Sequence, residues 1–326
     1  MDPQDPKRHH YVPVSYLKRF RSPEGILWRF DRVRQTIRRA APKSIMYLEN
    51  YNRQDHAPPG VDPNVLEIGL AREFEQKYLA PLDRLIHTPE GMYKEDVEIF
   101  ASYLEIQRVR VPRQFEEMKE TWRREALMTA EAGTLEKVRR GAATITFHPV
   151  ARINYMHDAL DRIGGYFYQM KWCLLRAADG ASFVTTDSPV TLFHPAVHLP
   201  HEPDISWAGT CVYFPVDRRH LLVMYYDPRY RGSMGPLDAV PKLIEGTLMS
   251  VKFRAGESVD QKEVGRLNRL IAARSERYVV AADRKELEPF LAAADGGLGP
   301  FVRPLDDYMR KCRGGSTVGN AARVGR

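Results

Sequence analysis

Apolar residues recur at helical spacing through the first half of the chain and gather into strand-like runs in the second. Pro13 opens a short helix reaching about Phe20, with Val14, Leu17 and Phe20 on one face. Residues 26–30 read as a strand, and residues 35–38 as its hairpin partner. Residues 50–63, with Pro58-Pro59-Gly60, form a loop, and Asp62 or Asn64 can cap the helix after it. The period is then helical over residues 64–85, 94–110, 112–132, 135–140 and 151–163. Strand formers dominate residues 167–176, 183–185, 211–214 and 221–226. A helix over 259–273, a strand over 277–281 and a short helix from Arg284 complete the pattern.

This order predicts an α+β fold, a helical first half packed with a mainly antiparallel sheet in the second half. The N-terminal strand and the late strands can share one sheet, so residues 1–304 are expected to form one integrated domain. Residues 305–326 turn to Gly, Ser, Ala and Arg without periodicity, the pattern of a disordered basic tail.

Composition narrows the class. Of 326 residues, 43% are hydrophobic and 28% charged, the balance of a globular chain. No apolar run approaches the ~20 residues of a membrane span, and the first ten residues lack the apolar stretch of a secretory signal. A soluble, cytoplasmic protein without a membrane partner is therefore expected. Three cysteines lie far apart, which argues against a disulfide framework and a zinc ribbon.

The net charge of +7 is unevenly placed. Residues 1–53 carry twelve Lys or Arg against five acids, and the segment from Arg303 carries six against two. Basic ends that meet in space make a polyanion-binding face, with Lys7 and Arg8 among its phosphate contacts. A merely solvated surface is the plainer alternative.

Polar residues on apolar faces mark candidate chemistry. His9-His10-Tyr11-Val12-Pro13 places two imidazoles on an extended segment, pointing different ways, each able to serve as acid, base or metal ligand. Glu75 falls between Ile68, Ala71, Leu79 and Leu82 at helical spacing, so it should point inward. On the next helix Gln107 and Arg110 interrupt apolar faces, while Glu98, Ser102, Glu105 and Val109 mark the wetter side. Pro112 should break that helix, gathering Gln107, Arg110 and Arg113 around the break. A Glu75 to Arg110 ion pair is expected, structural or catalytic. Asp187, in Thr185-Thr186-Asp187-Ser188-Pro189, lies at a strand's carboxyl end, where ligands often bind, though a turn before proline is the commoner use. His194, His198 and His201 alternate with prolines and read as a loop. The P-loop, dinucleotide, zincin and hydrolase signatures are missing.

Together, His9-His10-Tyr11-Val12-Pro13-x-x-Tyr16-Leu17-x-x-Phe20, Trp28, Glu75, Gln107-x-x-Arg110-x-Pro112-Arg113, the run ending at Val190, and Asn268 before Arg277-Tyr278 resemble the bacterial domain of unknown function 4238 family over about residues 9–285. The resemblance implies one shared site of His9, His10, Glu75, Gln107, Arg110, Arg113, Asp187 and Asn268, with Ser188 standing where the family favours Asn. These groups suit phosphodiester chemistry: histidine moves protons, arginine holds phosphate, and carboxylates bind Mg²⁺ or Mn²⁺ or activate water. The expectation is a nuclease acting on RNA or DNA, a toxin or antiviral defence effector. Its catalytic residues would be His9, His10, Glu75, Gln107, Arg110 and Asp187, with Lys7, Arg8, Arg113 and Asn268 binding substrate. The alternative is a non-enzymatic nucleic-acid-binding or partner-binding protein in which the polar residues form a structural network.

Overall fold

A computed structural model describes residues 7–88, 92–148, 150–198, 201–226 and 253–292. The chain opens with β1 (Arg8–His10), α1 (Val14–Leu17) and a tighter turn at Lys18–Phe20. Next come β2 (Leu27–Asp31), β3 (Thr36–Ala40) and β4 (Tyr47–Glu49), the last pairing antiparallel with β1. The helical half comprises α2 (Val65–Gly69), a π-helical turn (Leu70–Glu75), α3 (Leu79–His87), α4 (Lys94–Val109), α5 (Pro112–Thr129), α6 (Ala132–Arg139) and α7 (Val150–Gln169). The remaining elements are β5 (Lys171–Ala177), β6 (Thr185–Thr186), β7 (Thr191–Phe193), β8 (Cys211–Pro215), β9 (His220–Tyr225), β10 (Phe253–Val259), α8 (Gln261–Ala273), β11 (Tyr278–Ala281) and α9 (Glu288–Ala292).

Five strands in the order β10-β5-β9-β8-β7 make the larger sheet, antiparallel except for the parallel pair β10 and β5. Trp172 and Leu174 of β5 face a core shared with Tyr16, Phe100 and Tyr103, while Cys173 and Leu175 face one shared with Val264, Leu267 and Ile271 of α8. Both faces are therefore covered, which is why these strands read as unbroken apolar runs without alternation. The smaller antiparallel sheet has the order β3-β2-β11-β6. Its inner pair, β2 and β11, joins the first and last parts of the fold in one sheet, as the pattern suggests. The α+β architecture, helical first and sheet-bearing afterwards, is thus present.

Local differences have local causes. The helix expected over 64–85 is broken, because the Gln76 N–H bonds back five residues to the Ala71 carbonyl (3.1 Å) and the turn widens. The strand expected from Phe167 begins at Lys171, since α7 runs on to Gln169 and the Phe167 carbonyl accepts the Trp172 indole N–H at 3.0 Å. On α4 the wetter side holds only over its first half: Glu98 and Ser102 are partly exposed, but Glu105 and Val109 are buried. Helix α7 packs along α4 there, joining Ile106 and Val109 to Met156 and Ala159. The expected tail, residues 305–326, lies outside the described residues. No helix among the described residues is long and apolar enough to cross a membrane.

Candidate functional site

Strand β1 is held from two sides, and its alternation separates the histidines. The His9 ring is buried, and its Nδ1 accepts the Asn52 backbone N–H at 2.8 Å. His10 projects the other way, against Tyr47, with ring centroids 5.5 Å apart. Gln107 and Arg110 sit three positions apart on one face of α4 and its C-cap. Gln107 Nε2 donates to the Tyr11 carbonyl (2.9 Å), and Arg110 Nη2 donates to the His10 carbonyl. Two consecutive carbonyls of the N-terminal segment are thus gripped by α4, which explains why polar residues interrupt an apolar face.

Glu75 reaches the same place through the π turn. Its carboxylate lies 2.8 Å from Arg110 Nη2, the expected ion pair, with the Arg110 side chain 1% exposed and that of Glu75 22%. His10 belongs to this cluster electrostatically. Burial lowers its pKa below the usual histidine value, the Lys43 backbone and Glu75 oppose that, and Arg110 and Arg8 add to it. Its Nε2 is occluded and has no hydrogen-bond partner among the described residues. Lys7 and Arg8 are exposed beside it, Arg8 lying over the Tyr47 ring at 4.9 Å.

The break at Pro112 also occurs as expected, but Arg113 turns elsewhere. It pairs with Glu117 (2.7 Å) and donates to the Arg274 carbonyl (3.2 Å). Beside it, Arg108 grips Glu202 with two bonds of 3.2 and 3.1 Å, and Gln114 adds one of 2.8 Å. Burial pushes the Glu202 carboxyl up, but Arg108 outweighs it with help from Gln114 and Arg113, bringing the pKa to about 2. His201, next to Glu202, supplies the carbonyl that Arg274 binds, so the histidine-bearing loop serves as a clasp over the α4–α5 corner.

Asp187 and Asn268 stand apart. The Asp187 carboxylate accepts backbone N–H groups of Glu276 (3.0 Å), Arg277 (2.6 Å) and Tyr278 (2.8 Å), anchoring the entry to β11. Burial pushes its pKa up against the pull of those three donors. The residue therefore forms neither the expected turn before proline nor an open ligand-facing carboxylate. Asn268 is likewise spent on the backbone: its Oδ1 accepts from Val184 (3.0 Å) and its Nδ2 donates to Ser182 (2.9 Å). The expectation of one shared site thus divides. His10, Glu75, Gln107 and Arg110 converge, His9 supports them from behind, and Arg113, Asp187 and Asn268 fasten neighbouring elements.

The sequence pattern left one participant unmarked. Arg152 is buried on α7, its Nη2 donating to the Arg110 carbonyl at 2.7 Å and its guanidinium lying 3.2 Å from the centroid of the Tyr51 ring. It shares a helix face with Met156 and Ala159, four and seven positions on. The test that found Glu75 and Arg110, a polar residue within an apolar stripe, would have found it too. Among the described residues, no group of three or more His, Cys, Asp or Glu side chains is arranged to hold a metal ion.

A family described as a protein of unknown function, DUF4238, matches residues 8–285. The chain belongs to this family. The DUF4238 match takes in β1, the Glu75 turn, the α4–α5 corner, Arg152 and the Asp187 anchor, so the whole polar cluster lies within the shared region. Neither the curated proteins nor the solved structures give a match to the chain.

Proposed function

We propose that this DUF4238 protein is a bacterial nuclease that hydrolyses phosphodiesters of RNA or DNA in the cytoplasm, as a toxin or phage-defence effector. The observation that carries the reading is His10: an imidazole biased toward its neutral form by burial, its Nε2 without a partner among the described residues, set beside the Glu75–Arg110 pair. A neutral imidazole can take a proton from an attacking hydroxyl or water. Arg110 supplies positive charge where a phosphoryl oxygen gains negative charge, in surroundings where water screens it little. Glu75 holds Arg110 in place and, being partly exposed, can accept a proton or share a divalent cation such as Mg²⁺ or Mn²⁺ with substrate. Exposed Lys7 and Arg8 would draw the polyanion toward β1. Asp187 and Asn268 have no part in the chemistry, because backbone groups already occupy them.

The test is incubation of purified protein with tRNA, rRNA, single-stranded DNA and duplex DNA, with Mg²⁺, Mn²⁺ or EDTA. Cleavage that falls ~10²- to 10⁴-fold in His10→Ala supports the assignment. No cleavage of any substrate under any of these conditions overturns it. The near-complete burial of Arg110 favours a second reading, a nucleic-acid-binding or partner-binding protein with a structural network. Salt-dependent binding without turnover would be its signature.

A further inference from the structure

Two guanidinium groups are buried where α4 ends and α7 begins, with too few acceptors for their donors. Arg110 and Arg152 are 1% and 3% exposed. Nε and Nη1 of both are occluded and have no acceptor among the described residues. Arg110 has a carboxylate in Glu75. Arg152 has no carboxylate at ion-pair distance among the described residues, Glu67 being engaged by the Asn52 amide at 2.5 Å. What surrounds its guanidinium is the Arg110 carbonyl and the faces of Tyr51 and Phe115, 3.2 and 5.2 Å from the ring centroids. Burial lowers the Arg152 pKa to about 10, with the nearby Arg110 charge adding to it and the Tyr51 hydroxyl and the Glu67 carboxylate opposing.

A buried cation held this way is costly unless something negative completes it. Capping the carboxyl end of α4 accounts for one N–H and for a favourable place in the helix dipole, but not for the other donors. We infer that Arg110 and Arg152 form a binding site for a phosphate group, with His10 at its edge. After Glu75 is set against Arg110, one positive charge is left over, which matches the single charge of a phosphodiester. The open donors on two guanidiniums suit the several acceptor oxygens of a tetrahedral oxyanion. Tyr51 is partly exposed although its hydroxyl is buried, and its ring lies against Arg152, so that ring links the guanidinium to the surface. The ligand enters by displacing that ring. The inference rests on the nuclease reading for the identity of the phosphate's carrier, not for the existence of the site.

The test is isothermal titration of the full chain with inorganic phosphate and, separately, with dimethyl phosphate, with chloride at matched ionic strength as control. Saturable binding of either phosphate, absent for chloride, is expected. Stronger binding of dimethyl phosphate would identify a diester as the carrier, and stronger binding of inorganic phosphate a free or terminal phosphate. Arg152→Gln should weaken binding ~10- to 100-fold, the scale of losing charged hydrogen bonds. It should also fold, because glutamine removes a buried charge and can still donate to the Arg110 carbonyl. Arg152→Lys, which keeps charge without the planar donor array, should fall between. Absence of saturable binding, or equal affinity in wild type and Arg152→Gln, would overturn the inference and leave Arg152 as a helix cap. Phosphate binding without cleavage of any nucleic acid would instead remove the nuclease reading and leave this site standing.

Discussion

Removing either partner of the Glu75–Arg110 pair should give unequal losses, because the two groups differ in access to water. In Glu75→Ala, Arg110 keeps the His10 carbonyl but loses its carboxylate while remaining buried. Stranding a buried charge typically costs about 3–5 kcal/mol. In Arg110→Met, Glu75 can turn to solvent from its partly exposed position, so its charge is rehydrated. What remains is the unpaired His10 carbonyl, about 1–3 kcal/mol, partly offset because two unpartnered buried N–H groups disappear. The double variant should lose less than the sum, with a coupling of about 0.5–3 kcal/mol. Urea unfolding of the four proteins, followed by circular dichroism, measures all three differences. Equal losses below about 0.5 kcal/mol, or a larger loss for Arg110→Met than for Glu75→Ala, would refute the argument from burial.

Asp187→Ala should cost about 1–3 kcal/mol, since three partly buried backbone N–H donors lose their acceptor, while the folded fraction keeps any nuclease activity; an active-site titration separates the two effects. His9→Ala should act in the same way through the Asn52 N–H, lowering the melting temperature more than turnover per folded molecule. The folded pKa of His10 lies below its ordinary value of 6.5, so the unfolded chain binds its proton first as pH falls. The stability it contributes is present above about pH 6.5 and lost below it, and His10→Gln should show a shallower loss between pH 7 and 5.5 in chemical denaturation. Glu202 is also lowered, to about 2 from 4.5, but for a carboxylate this favours the charged form, so its contribution is present above pH 4.5 and lost toward pH 2; Glu202→Gln should flatten that acid limb of the melting curve. Removing residues 305–326 should weaken nucleic-acid binding and flatten its salt dependence, and an unchanged slope would show that this basic segment contacts no phosphate.

Patterning located elements in two ways, by periodicity where one side of a segment faced a core and the other water, and by unbroken apolar runs where both faces were covered. It located α4, α5, α8, the β2–β3 hairpin and the strands near 211 and 221 within a few residues. It missed β1, β4 and β7, three residues each, because segments so short carry no measurable period and exist only through their partners, and it missed the seven-residue β10, whose Arg254, Gly256, Glu257 and Ser258 leave no apolar run. The π turn before Gln76 was illegible for a related reason. A single wide turn shifts the helical phase by one residue, and the residues alone do not say which carbonyl an N–H will choose. Ile68, counted in the apolar stripe around Glu75, is consequently exposed.

The site was legible to the extent that its members break a pattern. Glu75, Gln107 and Arg110 were found as polar residues in apolar surroundings, and the pair between the first and last forms because neither can be left unsatisfied inside. Asp187 and Asn268 have the same residue chemistry, yet their partners are backbone amides 80 or more positions away, and no local rule separates a carboxylate that orders a strand from one that meets a ligand. Arg152 shows the converse. Its position broke the pattern of α7 as clearly as Arg110 broke that of α4, but a lone arginine near a helix start invites a surface reading until Tyr51, from a loop 101 residues earlier, is seen lying on it. What separates the groups that fasten the fold from those proposed to bind a ligand is whether their hydrogen-bonding capacity is used. Asp187 and Asn268 have theirs taken up; Arg110, Arg152 and His10 keep polar atoms without partners among the described residues, and the proposed phosphate site rests on those three.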